Sequence, residues 1–201
     1  MRFAAARFRP AFGRVLSIVI VAIALSGLVG FAVTNDWEGL ARYSWPLLLL
    51  GALALALFFL PYLDVTENEI TVRNVLSTVH IPWPSIERID TKYALTLYTN
   101  RGTVSVWASP APSRYAGQVS AHRDVTLAAA DQGGSIRPGD LLSSASGAAA
   151  FVIRQHWNDL RDDGLLDSPG AANDGYRREI HWATIGLLAA LAIATALGAL
   201  L

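Results

Sequence analysis

The sequence predicts a membrane protein of α plus β class: three transmembrane helices, with a small antiparallel β domain between the second and the third, closed by an amphipathic helix. Three observations lead there. Uncharged apolar runs occupy 15–33, 46–63 and 182–201. Between Asp64 and Pro110 the apolar residues fall at alternate positions, the mark of strands with one buried and one wet face. From Gly147 to Asp163 the period changes to three and four, the mark of a helix lying on a core. Composition agrees: 201 residues that are 53% hydrophobic and only 16% charged are too apolar for an ordinary soluble protein of this size.

Residues 1–14 carry Arg2, Arg7, Arg9 and Arg14 and no acid. The run 15–33 follows, about long enough to span a hydrocarbon core. A cleaved signal peptide starts in a similar way, but it has a shorter apolar core and is not followed by a second apolar segment. The connection holds Asp36, Glu38 and Arg42 with Trp37, Tyr43 and Trp45, aromatic residues suited to the headgroup level. The second span, 46–63, ends at Pro61 and Tyr62, where a helix end costs little. A buried core hairpin is the alternative, and two runs of this length are unusual in a soluble domain so small.

Within 64–110, Val65, Ile70, Val72, Val79, Ile81, Trp83, Leu95, Leu97, Val104 and Val106 form the inward set. Turn chemistry separates them at Glu67-Asn68-Glu69, Asn74, Pro82 with Pro84, and Asn100-Arg101-Gly102. The last is a tight hairpin, since Asn and Gly tolerate positive φ. This makes about six short strands in an antiparallel meander, because such short connections exclude parallel crossovers. Pro82 and Pro84 have no N–H to give a ladder, so a strand must end there or lie at an edge. Trp83 between them turns into the core, a commoner place for it than a membrane surface.

These residues carry a resemblance. Glu67–Glu69, Val72-Arg73-Asn74, the element Ile81-Pro82-Trp83-Pro84-Ser85-Ile86 and the hairpin at Asn100–Gly102 resemble the bacterial pleckstrin-homology-like (PH-like) domain. More narrowly, they are similar to the small actinobacterial type labelled low molecular weight protein antigen 6. The resemblance covers about the middle quarter of the chain, and Ile81, Pro82, Trp83 and Ile86 are its most specific part, a structural motif. It implies a PH-like antiparallel β-barrel or sheet closed by a C-terminal helix, and membrane helices before such a domain are common in these families.

The closing helix is 147–163, with Ala149, Val152, Ile153, His156, Trp157 and Leu160 on one stripe, Ser146 as N-cap and Gly164 as stop. In the resembling families that helix follows the last strand closely. Here 111–146 intervenes, rich in Ser, Gly, Ala and Pro, and reads as a flexible insertion. Residues 164–181 read as a linker to the third span, 182–201. Gly186 and Gly198 in that span allow close helix packing, within the chain or in a homo-oligomer.

Zero net charge argues against a nucleic-acid surface, and the absence of cysteine removes disulfides and thiolate metal sites. No two of His80, His122, His156 and His181 share metal-ligand spacing on one element, and no nucleophile elbow occurs. No metal, cofactor or catalytic set is therefore expected, and the chain reads as a non-enzyme. Arg73, Arg88, Lys92 and Arg101 are the candidate contacts for a lipid headgroup or a partner, though acids interleave them. Arginines at 2–14 and at Arg177 and Arg178 place the N-terminus and the β domain in the cytoplasm and the C-terminus outside. The expected function is an interaction or scaffold module at the inner membrane face, contacting the bilayer and a membrane or cytoplasmic protein. The alternatives are a lipid-headgroup module and an accessory subunit of an envelope transporter or enzyme.

Overall fold

In the computed structural model the alternating stretch becomes two facing antiparallel sheets. The structure describes residues 5–110, 144–166 and 175–199. The chain divides into two units, Met1–Arg9 with Tyr62–Glu179, and Pro10–Pro61 with Ile180–Leu201. In the first unit β1 (Ala6–Phe8), β2 (Tyr62–Val65), β3 (Glu69–Arg73), β4 (Ser77–Pro82) and β8 (Arg177–Ile180) form one sheet in the order β1-β2-β3-β4-β8. The other sheet is β5 (Ile86–Asp90), β6 (Ala94–Thr99) and β7 (Gly102–Pro110). The inward residues of both sheets, Leu63 and Ile70 through Val106, are between 0% and 7% exposed and form one core.

The expected barrel does not close, and chemistry at both seams explains it. On one side Pro82 and Pro84 cannot donate, and a 3-10 turn over Trp83–Ser85 redirects the chain between β4 and β5. A bulge between Ile86 and Arg88 turns it further. On the other side β7 meets the β3–β4 turn through a side chain instead of a ladder. The Asn74 amide donates to the Ser105 carbonyl at 2.8 Å and accepts the Trp107 N–H at 2.9 Å. One carboxamide thus stands in for a residue of a missing strand.

Eight strands are described where about six were expected. β1 comes from the basic N-terminal segment, where Phe8 packs on the core and Ala6-Arg7-Phe8 pairs with Val65-Asp64-Leu63. β8 lies inside the expected linker 164–181. The hairpin at Asn100-Arg101 forms as expected, with the positive φ on Gly102 alone (126°).

The closing helix α3 runs Ala145–Asp162 and starts earlier than the sequence suggested. Its N-cap is Ser144, whose Oγ accepts the Gly147 N–H at 2.9 Å, and Ser146 is instead fully buried inside the first turn. At the other end Gly164 (φ 71°) gives its N–H to Arg161 and Leu165 reaches back to Leu160, so glycine ends the helix as expected. The insertion 111–146 lies outside the described residues up to 143.

The second unit contains α1 (Ala11–Val33), α2 (Trp37–Ala54, continued by a π turn over Leu55–Phe59) and α4 (Trp182–Gly198). Ala11–Val33 and Trp37–Phe59 are long and apolar enough to cross a membrane; Trp182–Gly198 is apolar and 17 residues long. Three full-length spans are therefore not present among the described residues. The connection before Pro46 is helical, because the Asp36 carboxylate caps the Gly39 N–H at 2.8 Å and Pro46 is accommodated inside the helix. The second helix ends before the expected boundary, and Tyr62 and Leu63 belong to β2. Gly13 lets α1 approach the π turn, where a Cβ would lie 3.2 Å from the Phe58 carbonyl. Gly198 faces Trp45 of α2, so its small size serves contact within the chain; Gly186 faces open space.

Replacing Trp83 by Ala is expected to cost about 3–5 kcal/mol, the range for a large buried aromatic. Asn74→Ala, which strips two backbone groups of their partner, is expected to cost about 1–2 kcal/mol. Pulse proteolysis of the detergent-solubilised chain across a urea series measures both.

Candidate functional site

Strand alternation sends one set of side chains to the core and the other to the outside, so each sheet carries an outer face on which function can reside. On the five-stranded sheet the cross-strand pairs Asp64–Thr71 and Thr71–His80 run through the middle of that face. Glu69 Oε1 lies 2.8 Å from His80 Nδ1 and 3.3 Å from the Thr71 hydroxyl. Thr71 Oγ1 is 3.3 Å from the same His80 nitrogen, and Arg177 Nη2 lies 3.5 Å from His80 Nε2. A guanidinium only donates, so in the neutral imidazole Nε2 is the acceptor and Nδ1 carries the proton given to Glu69. A hydrolytic relay needs the hydroxyl and the carboxylate on opposite ring nitrogens. Here both crowd Nδ1, and the trio is a ladder that ties strands together.

The basic residues singled out in the sequence do not converge. Arg88 lies over the Tyr98 ring at 3.9 Å, on the outer face of the three-stranded sheet. Lys92 is 5.1 Å from the ring of its neighbour Tyr93 in the β5–β6 turn. Arg101 is 5.6 Å from Tyr176, beside a cleft of about 230 Å³ lined by Asn74, Ser77, Thr103, Ser105 and Arg178. Arg73 stands apart from these at the end of β3, 5.9 Å from Tyr62. It is joined there by Arg7 and Arg9 at 4.3 and 5.3 Å from the same ring.

Arg7 and Arg9 enter the sequence reading only as topology signals. The clue to their placement is the alternation Ala6-Arg7-Phe8-Arg9, which puts both arginines opposite the inward Phe8. The structural motif behaves differently from the charges. Ile81 and Trp83 are buried, Pro82 ends β4, and Ile86 returns the chain to the core at 4% exposure. Trp83 donates its indole N–H to the Thr66 carbonyl at 3.1 Å and meets the His156 ring edge-on at 4.7 Å.

Among the described residues, the outer face of β5-β6-β7 has the composition of a contact surface. Arg88 over Tyr98, then Thr96 and Ser105, lead to Trp107, which is 52% exposed. Tyr93 in the adjoining turn is 78% exposed. Tryptophan, tyrosine and arginine are the residues enriched where proteins bind one another. Among the described residues, no group of three or more His, Asp or Glu side chains is placed to hold a metal ion.

The family model described as Bacterial PH domain matches residues 61–141. That range begins at the residue before β2 and takes in every strand from β2 to β7. The chain therefore carries a bacterial PH-like domain. No curated protein and no solved structure gives a match.

Glu69→Ala removes the common acceptor of His80 and Thr71 and is expected to lower stability by about 1 kcal/mol. Arg88→Ala, at an exposed stack, is expected to change it by less than about 1 kcal/mol. Melting temperatures of the purified chain in detergent separate the two.

Proposed function

We propose, from the bacterial PH-like domain that the chain carries, a membrane-anchored, non-enzymatic interaction module. Its β domain sits at the inner face of the membrane and docks a folded protein on the outer face of β5-β6-β7. The observation that carries this reading is the exposed Trp107 beside the Arg88–Tyr98 stack. Rigid aromatic area with an arginine at its edge gives contact energy at little cost in side-chain entropy. The two edges of the same sheet are less suited to capture by strand addition. β5 carries Glu87 and Arg88, and charge on an edge strand discourages pairing. On β7, Asn74 already satisfies the backbone of Ser105 and Trp107.

The anchoring follows from the two long apolar helices, with the apolar Trp182–Gly198 as a third membrane segment. Arginines at the start of α1 and before α4 support a cytoplasmic N-terminus and β domain with the C-terminus outside. The small actinobacterial antigen 6 type is the arrangement this proposal follows most closely, on the strength of Ile81, Pro82, Trp83 and Ile86.

A photo-crosslinking residue at Thr96, in cells, is expected to give a discrete protein adduct that Trp107→Ala abolishes. Lipid adducts alone, or an adduct indifferent to Trp107, would sink the docking surface. Thr71 is the weaker probe, since it is 9% exposed beneath Glu69 and His80. For topology, Thr103→Cys in this cysteine-free chain is expected to resist an impermeant maleimide in intact cells and to react once they are opened. Labelling of intact cells would reverse the orientation.

A further inference from the structure

Three guanidinium groups meet at one tyrosine ring. Tyr62 opens β2, and Arg73, its partner across the ladder, closes β3. Arg7 lies on β1, opposite Asp64, and Arg9 follows two residues later. Their Cζ atoms lie 4.3 Å (Arg7), 5.3 Å (Arg9) and 5.9 Å (Arg73) from the ring centroid. One carboxylate faces them: Asp64 reaches Arg7 Nε at 3.9 Å, in a pair that is 47% and 30% exposed. Among the described residues neither Arg9 nor Arg73 has a carboxylate partner, and Arg73 Nε is buried with no hydrogen-bond partner. The cluster therefore holds three positive charges against one negative.

Such a gathering repels itself unless something balances it. The face of one tyrosine attracts a cation through its quadrupole, but a single ring cannot neutralise three. A phosphate group can. Its oxygens accept several charge-assisted hydrogen bonds at once, and the planar donor fork of arginine matches them two at a time. The position in the chain adds a second argument. Arg9 directly precedes Pro10, which caps α1, and Tyr62 directly follows Pro61 at the end of the second apolar helix. Arg9 lies two residues before the first of the helices long enough to cross a bilayer and Tyr62 three residues after the second, so the headgroup layer is the nearest supply of phosphate.

We infer that Arg7, Arg9 and Arg73 around Tyr62 form a site for a phosphate-bearing anion, with the headgroup of an acidic phospholipid as its source. Arg88, Lys92 and Arg101 take no part in it. Arg9 and Arg73 supply the uncompensated donors, Arg7 is partly neutralised by Asp64, and Tyr62 holds the three side chains in place. The site is independent of the docking face at Trp107.

The full chain in an uncharged detergent tests this by its melting temperature with added phosphatidylglycerol, phosphatidylcholine or inorganic phosphate. Phosphatidylglycerol is expected to raise it by about 3 °C or more, as a ligand well above its Kd does for a chain of this size. Phosphatidylcholine is expected to have little effect. The rise should disappear in R9Q/R73Q and persist in the control R88Q/K92Q. R9Q alone serves if the double variant does not fold, because Arg9 is exposed and lies over the ring at 5.3 Å. A rise with inorganic phosphate that the same variants abolish would keep the site and make free phosphate its source. No rise with either, or a rise equal in wild type and R9Q, would overturn the inference.

Discussion

The β domain depends on the indole of Trp83. It lies in the 3-10 turn between the two sheets, 2% exposed, with prolines on both sides. Its N–H holds the Thr66 carbonyl, and so the β2–β3 turn, which is itself closed by the Thr66 hydroxyl against Glu69. Its ring meets His156, whose Nε2 lies 3.4 Å from the Glu67 carbonyl of that same turn. One side chain thus joins a turn of the first sheet, the crossing into the second and the closing helix. A buried tryptophan needs an acceptor for its N–H, and the turn's Thr66 carbonyl needs a donor. Each requirement satisfies the other.

A second constraint operates at the opposite seam. With Trp83 turning the chain between β4 and β5, the two sheets face one another without a continuous ladder. The exposed backbone of β7 would be a template for unwanted pairing. Asn74 removes part of that hazard by giving β7 one donor and one acceptor from a side chain. Its own N–H holds the Ser77 carbonyl and shapes the turn from which the carboxamide reaches out. The same residue therefore sets a turn and joins two sheets. This is how a domain with an open barrel still encloses a single core.

Much of this was legible in the sequence, and the reason is periodicity. Ile70, Val72, Val79, Ile81, Leu95, Leu97, Val104 and Val106 were read as inward from alternation alone, and all are buried. Trp83 was legible because two flanking prolines leave it no place in a ladder. What could not be read are relations between distant segments. Asn74 looks like any turn asparagine until Ser105 and Trp107 are brought beside it. β1 and β8 are only three and four residues long, too short for a pattern to separate from chance. The N-cap moved from Ser146 to Ser144 because the sequence offers serines at both positions and only packing chooses between them. The basic residues were the least legible of all, since charge carries no periodic requirement and partners for it can come from anywhere in the fold.

The arginines also show how a domain with zero net charge in its chain can remain locally charged. Arg88 and Lys92 each lie over a tyrosine of their own, and Arg101 lies over Tyr176. Dispersed in this way, each cation extends along apolar area and keeps its charged end in water, an arrangement that costs little. Crowding three guanidinium groups at Tyr62 gains nothing comparable, because mutual repulsion grows while the ring is shared. Strand β1 brings two of the three there, and its anchoring Phe8 requires only that the flanking residues point outward, with no demand that they be arginine. The dispersed pattern is what stability alone would select. The concentrated one lies two and three residues along the chain from the two long apolar helices, where the anion we infer would balance it.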